Sequence, residues 1–511
     1  MSCVSKIVNR KIIFWIVLIC SVASIAPVLY CGLFDYANGD DLIGAATARQ
    51  AYINGASITE YFGNVMKATI DNYYSWDGNF ASTFVWYAFE PSIFCEKLYR
   101  IVPFLALSCI SSIVFATAYF GKKYLGISEI GMCVISIPIV SLIINYAPSI
   151  KSLMFWWTGI VSYIFPIGLL CLSLVWIDKY FENRKKRYLI FVSLSMIFIG
   201  GAGYFSAIIV FEVFVLIFLW QVISNRDNLK KCEGLIIPFV VFMLCFIISF
   251  LAPGNSARAA TSGVEISFSI SKVIYTVFDC IIVGGKEIFI RLIDIRPLFL
   301  FFISVPFVTW YLLDIDTCKL TFKYPILTSV CLILIYFSSY APMLFTGVEV
   351  SGGGPNDIYI FFLTIFTLVE VYVTGYFKRK LTCKNSGSVL LSREWTKKCI
   401  GIPLVFCVFL FIFIFGRYLI GNSSGYMCYQ FASSGALHDF DVQMQERIAI
   451  LQSEEKDVVL PQMNDDQGPF MHMPLTGDAS SYPNQATSLF YGKDSVIAIS
   501  RDEWNEKYGG K

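Results

Sequence analysis

Histidine is almost absent from this chain: of 511 residues only His438 and His472 are histidine, and both fall near the C-terminal end. A His-rich metal centre is thereby excluded; a divalent metal would have to sit on carboxylates, and no cofactor is required by the chemistry read below. No two of the 16 cysteines stand at CxxC spacing, which argues against a zinc or thioredoxin-type set. There is no glycine-rich dinucleotide fingerprint and no P-loop, so no nucleotide site is expected. The net charge of +2 by itself says nothing about nucleic acid, and no nucleic-acid partner is expected. Charge itself is scarce, at 15% of residues against 56% hydrophobic. A single soluble core stops growing well below the size needed to hide that much apolar surface.

What the chain does have is apolar runs near twenty residues, long enough as helix to cross ~30 Å of hydrocarbon. Eleven candidate spans are read at 12–31, 101–120, 127–147, 158–178, 188–203, 205–222, 235–251, 297–313, 325–345, 358–376 and 400–420. The fifth and sixth are short and meet at Gly200, Gly201 and Gly203. Lys and Arg cluster in alternate connections, at Lys122 and Lys123, at Arg184 to Arg187 and between Lys378 and Lys398. By the positive-inside rule the N-terminus is cytoplasmic and the C-terminal end lies outside. The first run is too long for a cleaved signal and lacks a small-residue cleavage site, so it reads as a retained span.

Three parts interrupt this pattern. In the outer segment 32–100, Ser57-Ile58-Thr59-Glu60 is a capping box opening a helix whose apolar face carries Ile58, Tyr61, Phe62, Val65 and Thr69. That helix lies on the membrane surface or packs on top of the bundle; both readings predict the same residues. Residues 268–291 are apolar but broken by Lys272, Asp279 and Lys286, which suits a re-entrant or interfacial helix. In the tail from Gly421, Phe440, Met444, Ile448 and Leu451 recur at helical spacing. Val458 to Pro461 then reads as a strand, Asn484 to Tyr491 as a helix and Ser495 to Ser500 as a strand. The expected organisation is an all-α polytopic membrane domain over 1–420 with a small α/β extracytoplasmic domain over 421–511. Cys95, Cys280 and Cys428 are placed outside, with no disulfide assignable from spacing.

Candidate chemistry gathers at the outer ends of spans. Asn38-Gly39-Asp40-Asp41 follows the first span; two adjacent carboxylates raise each other's pKa, which suits one to be a general base. The plainer alternative is that Asp40 caps a helix beginning at Asp41. In Tyr73-Tyr74-Ser75-Trp76-Asp77-Gly78-Asn79, rings stand beside carboxylate and amide, the composition that holds a sugar; an interfacial aromatic belt has the same composition. Ala252-Pro253-Gly254-Asn255 with Arg258 could take a phosphate, or anchor to lipid headgroups. Trp157 and Tyr163 open another span, where girdle residues are common. Glu349 in a glycine-rich outer loop, together with Lys286 and Arg291, completes the candidates.

Taken together these positions resemble the GT-C superfamily of polytopic glycosyltransferases. The closest resemblance is to bacterial serotype-converting O-antigen glucosyltransferases, carried by Asp40-Asp41, Trp76-Asp77-Gly78, Trp157-Thr158-Gly159 with Tyr163, and Ala252-Pro253-Gly254-Asn255 with Arg258. Asp478-Ala479-Ser480, Asn484-Gln485 and Tyr491-Gly492 resemble its closing motif. Where the wider pattern has arginine this chain has Asn79, which puts a phosphate contact there in doubt. The resemblance implies a polyprenyl-phosphate sugar donor presented from the outer leaflet, and a glucosyl-type transfer to an O-antigen or similar surface polysaccharide on the periplasmic side of a bacterial inner membrane. Asp40 or Asp41 would be the base, Arg258 would meet the leaving phosphate, and Trp76, Asp77, Asn79, Trp157, Tyr163, Asn255, Lys286 and Glu349 would contact substrate. Two other classes stand beside it: a flippase or exporter of lipid-linked saccharide, which calls for charges at mid-membrane, and an O-antigen polymerase, whose working residues sit in mid-chain outer loops.

Overall fold

The computed structural model describes residues 10–224, 229–264, 268–294, 296–348, 352–384, 416–464 and 467–508. The expected span at 400–420 lies outside them except for its last residues, and Glu349 lies outside them altogether.

Among the described residues six helices are long and apolar enough to cross a membrane: Lys11–Gly32, Glu96–Leu125, Glu129–Tyr146, Trp157–Asn183, Cys232–Phe250 and Gly353–Thr382. Three shorter apolar helices, Tyr204–Leu219, Pro297–Leu312 and Pro325–Ser338, accompany them. Helices satisfy every backbone group internally, the condition hydrocarbon imposes. Large apolar side chains face outward on them, including Trp15, Ile19, Ile237, Leu251 and Ile326, while Phe242, Tyr336, Tyr359 and Phe362 are fully buried between them. Among the described residues the apolar part of the chain is all helix, the architecture of a multi-pass membrane protein.

Two of the expected spans take a different form. The run 188–203 is the 15-residue helix Lys186–Gly200, stopped at Gly201. Its glycines are packing positions: a Cβ on Gly200 would stand 2.8 Å from the Phe242 carbonyl oxygen, so this helix and Leu229–Phe250 approach backbone to backbone. The run 325–345 breaks into Pro325–Ser338 and Ala341–Thr346, with Pro342 opening the second piece. The interrupted stretch near 268–291 is one continuous 25-residue helix, Ile270–Asp294, followed at once by Arg296–Leu312. Its buried residues Thr276, Cys280 and Gly284 form a stripe four apart, and Phe278, Ile282 and Phe289 stay exposed.

The segment after the first helix folds into three helices, Asp40–Ile53, Ile58–Ser75 and Phe80–Phe89. The capping box forms as read: Glu60 N–H donates to Ser57 Oγ and Ser57 N–H donates to the Glu60 carboxylate. Val65 and Thr69 are buried on that helix, whereas Ile58 is exposed.

The tail contains helices Ser424–Ser433 and Ala436–Leu451, strand β1 (Asp457–Pro461), helix Tyr482–Tyr491, strand β2 (Ser495–Ile499) and helix Arg501–Tyr508. The strands pair in parallel with Asp457 opposite Ser495, so β1, the helix and β2 form a crossover unit. Asn484 brackets it: its Nδ2 donates to the Thr476 and Val496 carbonyls while its Oδ1 accepts from Thr476 N–H. The tail packs on the segment after the first helix through Tyr36 and Arg100, which both donate to Asp441, and through Gln50, which donates to the Phe490 carbonyl. This contact positions the site described next.

Candidate functional site

The helix Asp40–Ile53 begins one residue earlier than the capping reading requires. Gly39 occupies the N-cap, and no side chain caps the helix. Gly39 has φ 49, a left-handed conformation that favours glycine, and the Met473 side chain packs directly over it, with Sδ 2.2 Å from where a Cβ would stand. The tail holds this turn in place: Asn38 Nδ2 donates to His472 Nδ1 at 2.9 Å, and Met473 N–H donates to Asn38 Oδ1 at 2.8 Å. Burial pushes the His472 pKa down to about 4, so the ring is neutral and free to accept.

The two adjacent carboxylates have opposite environments. Asp41 is fully buried and takes three donors: Thr158 N–H at 2.9 Å, Thr158 Oγ at 2.5 Å and the Tyr99 hydroxyl. The same Tyr99 oxygen accepts from Trp157 N–H at 3.2 Å. Asp41 is thus the rivet joining the helix Asp40–Ile53 to the start of the Trp157–Asn183 helix. Asp40 is only half-buried and has one hydrogen bond, from Tyr482 Oη at 2.5 Å. The Asp40 side chain therefore does not serve as a helix cap; it faces the tail.

The motifs around residues 77 and 255, about 180 positions apart in sequence, lock together. Asp77 accepts from Asn79 N–H at 3.1 Å and Asn72 Nδ2 at 3.3 Å, and pairs with Arg258 Nη1 at 3.2 Å. Arg258 also lies 5.4 Å over the Trp76 ring. Asn255 Oδ1 accepts from Gly78 N–H and from Tyr204 Oη, both at 3.1 Å, while its Nδ2 donates to the Ser249 and Phe250 carbonyls. All hydrogen-bonding capacity of the Asn255 amide is spent on the fold. Gly78 and Gly254 permit the contact: a Cβ on Gly78 would stand 1.9 Å from the Ser249 carbonyl oxygen, and one on Gly254 2.6 Å from Asp77 N. Arg258 remains part exposed, as does Trp76, and Asn79 Oδ1 is buried without a partner among the described residues.

The remaining candidates divide. Trp157 is buried, not at a lipid-facing girdle, and its Nε1 donates to the Trp86 carbonyl at 3.4 Å. Tyr163 packs against Gly353 and Phe205, within electrostatic reach of Arg258, Asp77, Asp40 and Asp357. Lys286 is exposed on the Ile270–Asp294 helix, and among the described residues no contact joins it to Asp40 or Arg258. Arg291 is engaged by Glu287 at 3.6 Å and lies over the Tyr359 ring, so it is a bundle residue and no headgroup anchor. Sequence reading gave no role to Tyr482 or Tyr99, named Thr158 only as part of a motif, and passed over the buried acids Asp35 and Glu90. For Thr158 and Tyr482 a signal existed in their nearness to the Trp157 and Asp478 motifs; the others carried none.

The electrostatics follow from burial. Desolvation raises Asp41 to about 6, opposed by its three donors. Glu90, buried and accepting from Ser92 Oγ, is raised to about 8, first by desolvation and then by Asp41. Asp35 is raised well above the ordinary carboxylate range by burial and by Asp41. Asp40 is raised by partial burial, offset by the Tyr482 hydroxyl and by the positive charge of Arg258. An opposed pair of charges, Arg258 and Asp77, thus stands within reach of a carboxylate poised above its usual range.

Beside this cluster lies an apolar cavity of about 670 Å³ lined by Met66, Ile70, Tyr73, Phe84, Leu194 and Ile248 among others. Tyr73 joins the two: its ring lines the cavity, and its carbonyl oxygen touches the Gly254 position of the Arg258 turn. No group of three or more His, Cys, Asp or Glu among the described residues is placed to hold a metal ion. No protein-family model matches this chain, and no curated protein matches it in sequence.

Proposed function

We propose that this protein is a membrane glycosyltransferase that moves a sugar, in the narrower reading glucose, from a polyprenyl-phosphate donor to a hydroxyl of an O-antigen or similar polysaccharide on the outer face. The observation that carries this reading is the division of labour in the acidic pair: Asp41 is saturated with donors, whereas Asp40 is half-buried with one tyrosine partner and near Arg258. A base needs a free carboxylate oxygen, and Asp40 keeps one: a single tyrosine donates to its carboxylate, and partial burial raises its pKa. Arg258 is the group suited to a leaving phosphate, since guanidinium offers paired donors to two oxygens. Its salt bridge to Asp77 holds it in place until a phosphate competes for it.

In the step proposed, Asp40 takes the proton of the acceptor hydroxyl as its oxygen attacks the anomeric carbon. The bond from that carbon to the phosphate oxygen breaks, and the polyprenyl phosphate leaves with the electron pair, its charge met by Arg258. Trp76, 45% exposed beside Asp77, offers a ring face to the sugar. The apolar cavity beside Tyr73 takes the isoprenoid chain, and its openness to lipid-exposed side chains such as Leu194 and Ile248 suits entry from the bilayer.

The experiment is transfer by purified protein in nanodiscs from synthetic polyprenyl-phosphate glucose to extracted polysaccharide, with Val85→Trp as a cavity-filling variant. Transfer by wild type, with KM for a long-chain donor raised in the variant and KM for a short-chain donor unchanged, supports the reading. Absence of transfer across a panel of sugars, with lipid-linked saccharide moved between leaflets instead, overturns it in favour of a flippase.

A further inference from the structure

Two cysteines far apart in sequence meet inside the protein, next to the site. Cys31 lies in the last turn of the Arg10–Gly32 helix and Cys428 in the middle of Ser424–Ser433. Both are completely buried. The Cys31 thiol donates to the Cys428 carbonyl oxygen at 3.5 Å across a sequence separation of 397, which brings the two cysteines side by side.

Neighbouring contacts hold the sulfurs together. A Cβ on Gly425 would stand 2.1 Å from the Ser24 carbonyl oxygen, so the two helices approach with no side chain between them. Asn145 fastens the crossing, accepting from Gly425 N–H at 3.0 Å through Oδ1 and donating from Nδ2 to Ser24 Oγ at 3.1 Å. Just beyond Cys31, Tyr36 and Asp441 form the next contact between the same two parts of the chain. The thiols therefore sit on two backbones already fixed at close range, the condition for a disulfide with little rearrangement.

The geometry points to a Cys31–Cys428 disulfide that tethers the C-terminal segment to the end of the first span. This inference rests on the proposed orientation, with the tail on the outer, oxidising side of the membrane. Both thiols are out of solvent once the helices dock, so the bond forms during assembly. The Cys428 thiolate attacks one sulfur of a donor disulfide, such as that of a dithiol oxidase, and releases one donor thiol. The Cys31 thiolate then attacks the Cys428 sulfur and releases the second. The chain loses two hydrogens, and the donor disulfide gains them. The tether keeps the tail's Tyr482, His472 and Met473 over the Asn38-to-Asp41 turn, where each has its partner.

The test is peptide mass mapping of the full chain, extracted from membranes quenched with an alkylating reagent, before and after reduction. An impermeant label on the exposed tail residue Lys507 is read in parallel on intact cells or spheroplasts. The expected result is a linked pair of peptides containing Cys31 and Cys428, lost on reduction. A reductant-induced fall in Tm should appear in wild type and be missing in Cys31→Ser. Alkylated Cys31 and Cys428 in folded protein whose tail is labelled from outside overturn the disulfide alone. Alkylated thiols with a tail reached only after permeabilisation overturn the disulfide and the orientation together.

Discussion

Asp40→Asn and Asp41→Asn separate chemistry from architecture. Asp40 gives up one partner at most, and an asparagine Oδ1 can still accept from Tyr482, so stability changes by about 0.5 kcal/mol or less. Transfer falls by roughly 10²- to 10⁴-fold, the contribution of a positioned base. Asp41 has the converse profile. Its folded pKa of about 6 stands above the 3.8 of the unfolded chain, so the folded state binds protons more tightly between those values. The Asp41 contribution to stability therefore declines as pH rises from about 4 to 6 and levels off above, by about 3 kcal/mol at ~1.4 kcal/mol per unit. Asparagine mimics the neutral acid and removes that slope, while leaving the Tyr99 hydroxyl without its acceptor costs roughly 1–3 kcal/mol. At pH 8 the two nearly cancel, and Asp41→Asn keeps both fold and transfer. Asp41→Ala removes the acceptor of all three donors and destabilises by roughly 3 kcal/mol or more. The assays are thermal melts in detergent from pH 4 to 8 beside sugar transfer at pH 8. A stable, inactive Asp41→Asn with an active Asp40→Asn refutes the assignment.

Tyr482→Phe and Arg258→Ala each remove an influence that lowers the Asp40 pKa, so the acid limb of the kcat–pH profile moves to higher pH in both; a limb that stays in place contradicts Asp40 as base. Glu90, raised to about 8 from 4.5, makes wild-type stability fall as pH rises across that window, and melts of Glu90→Gln should lose the slope. Gly78→Ala forces a Cβ onto the Ser249 carbonyl and costs roughly 1–3 kcal/mol in chemical denaturation, whereas Gly55→Ala, where a Cβ meets nothing but the backbone has φ 69, strains only its own turn.

Patterns complete within a few residues were legible in the sequence. The long apolar runs, the Ser57–Glu60 capping box, and two helices and both strands of the tail each depend on neighbours within a turn or a strand, so local spacing was sufficient there, while the tail helices Ser424–Ser433 and Arg501–Tyr508 went unread. The proposed capping role of Asp40 was local too, yet failed because Met473 and His472 from the far end of the chain set the backbone of that turn. Asn255 shows the other limit: an amide beside a glycine and an arginine has the composition of a ligand site. Only the packing of residues 72–79 on 249–258 reveals that its donors and acceptor are already spent. Asp40 and Asp41 are identical as letters. Burial, Tyr99 and Thr158 make one a structural rivet, and Tyr482 leaves the other poised, because hydrogen-bond partners and desolvation come from residues tens to hundreds of positions away. Composition and periodicity thus determined that the chain enters the membrane as helices, and tertiary contacts alone decided which of its carboxylates is saturated with donors and which keeps an oxygen free.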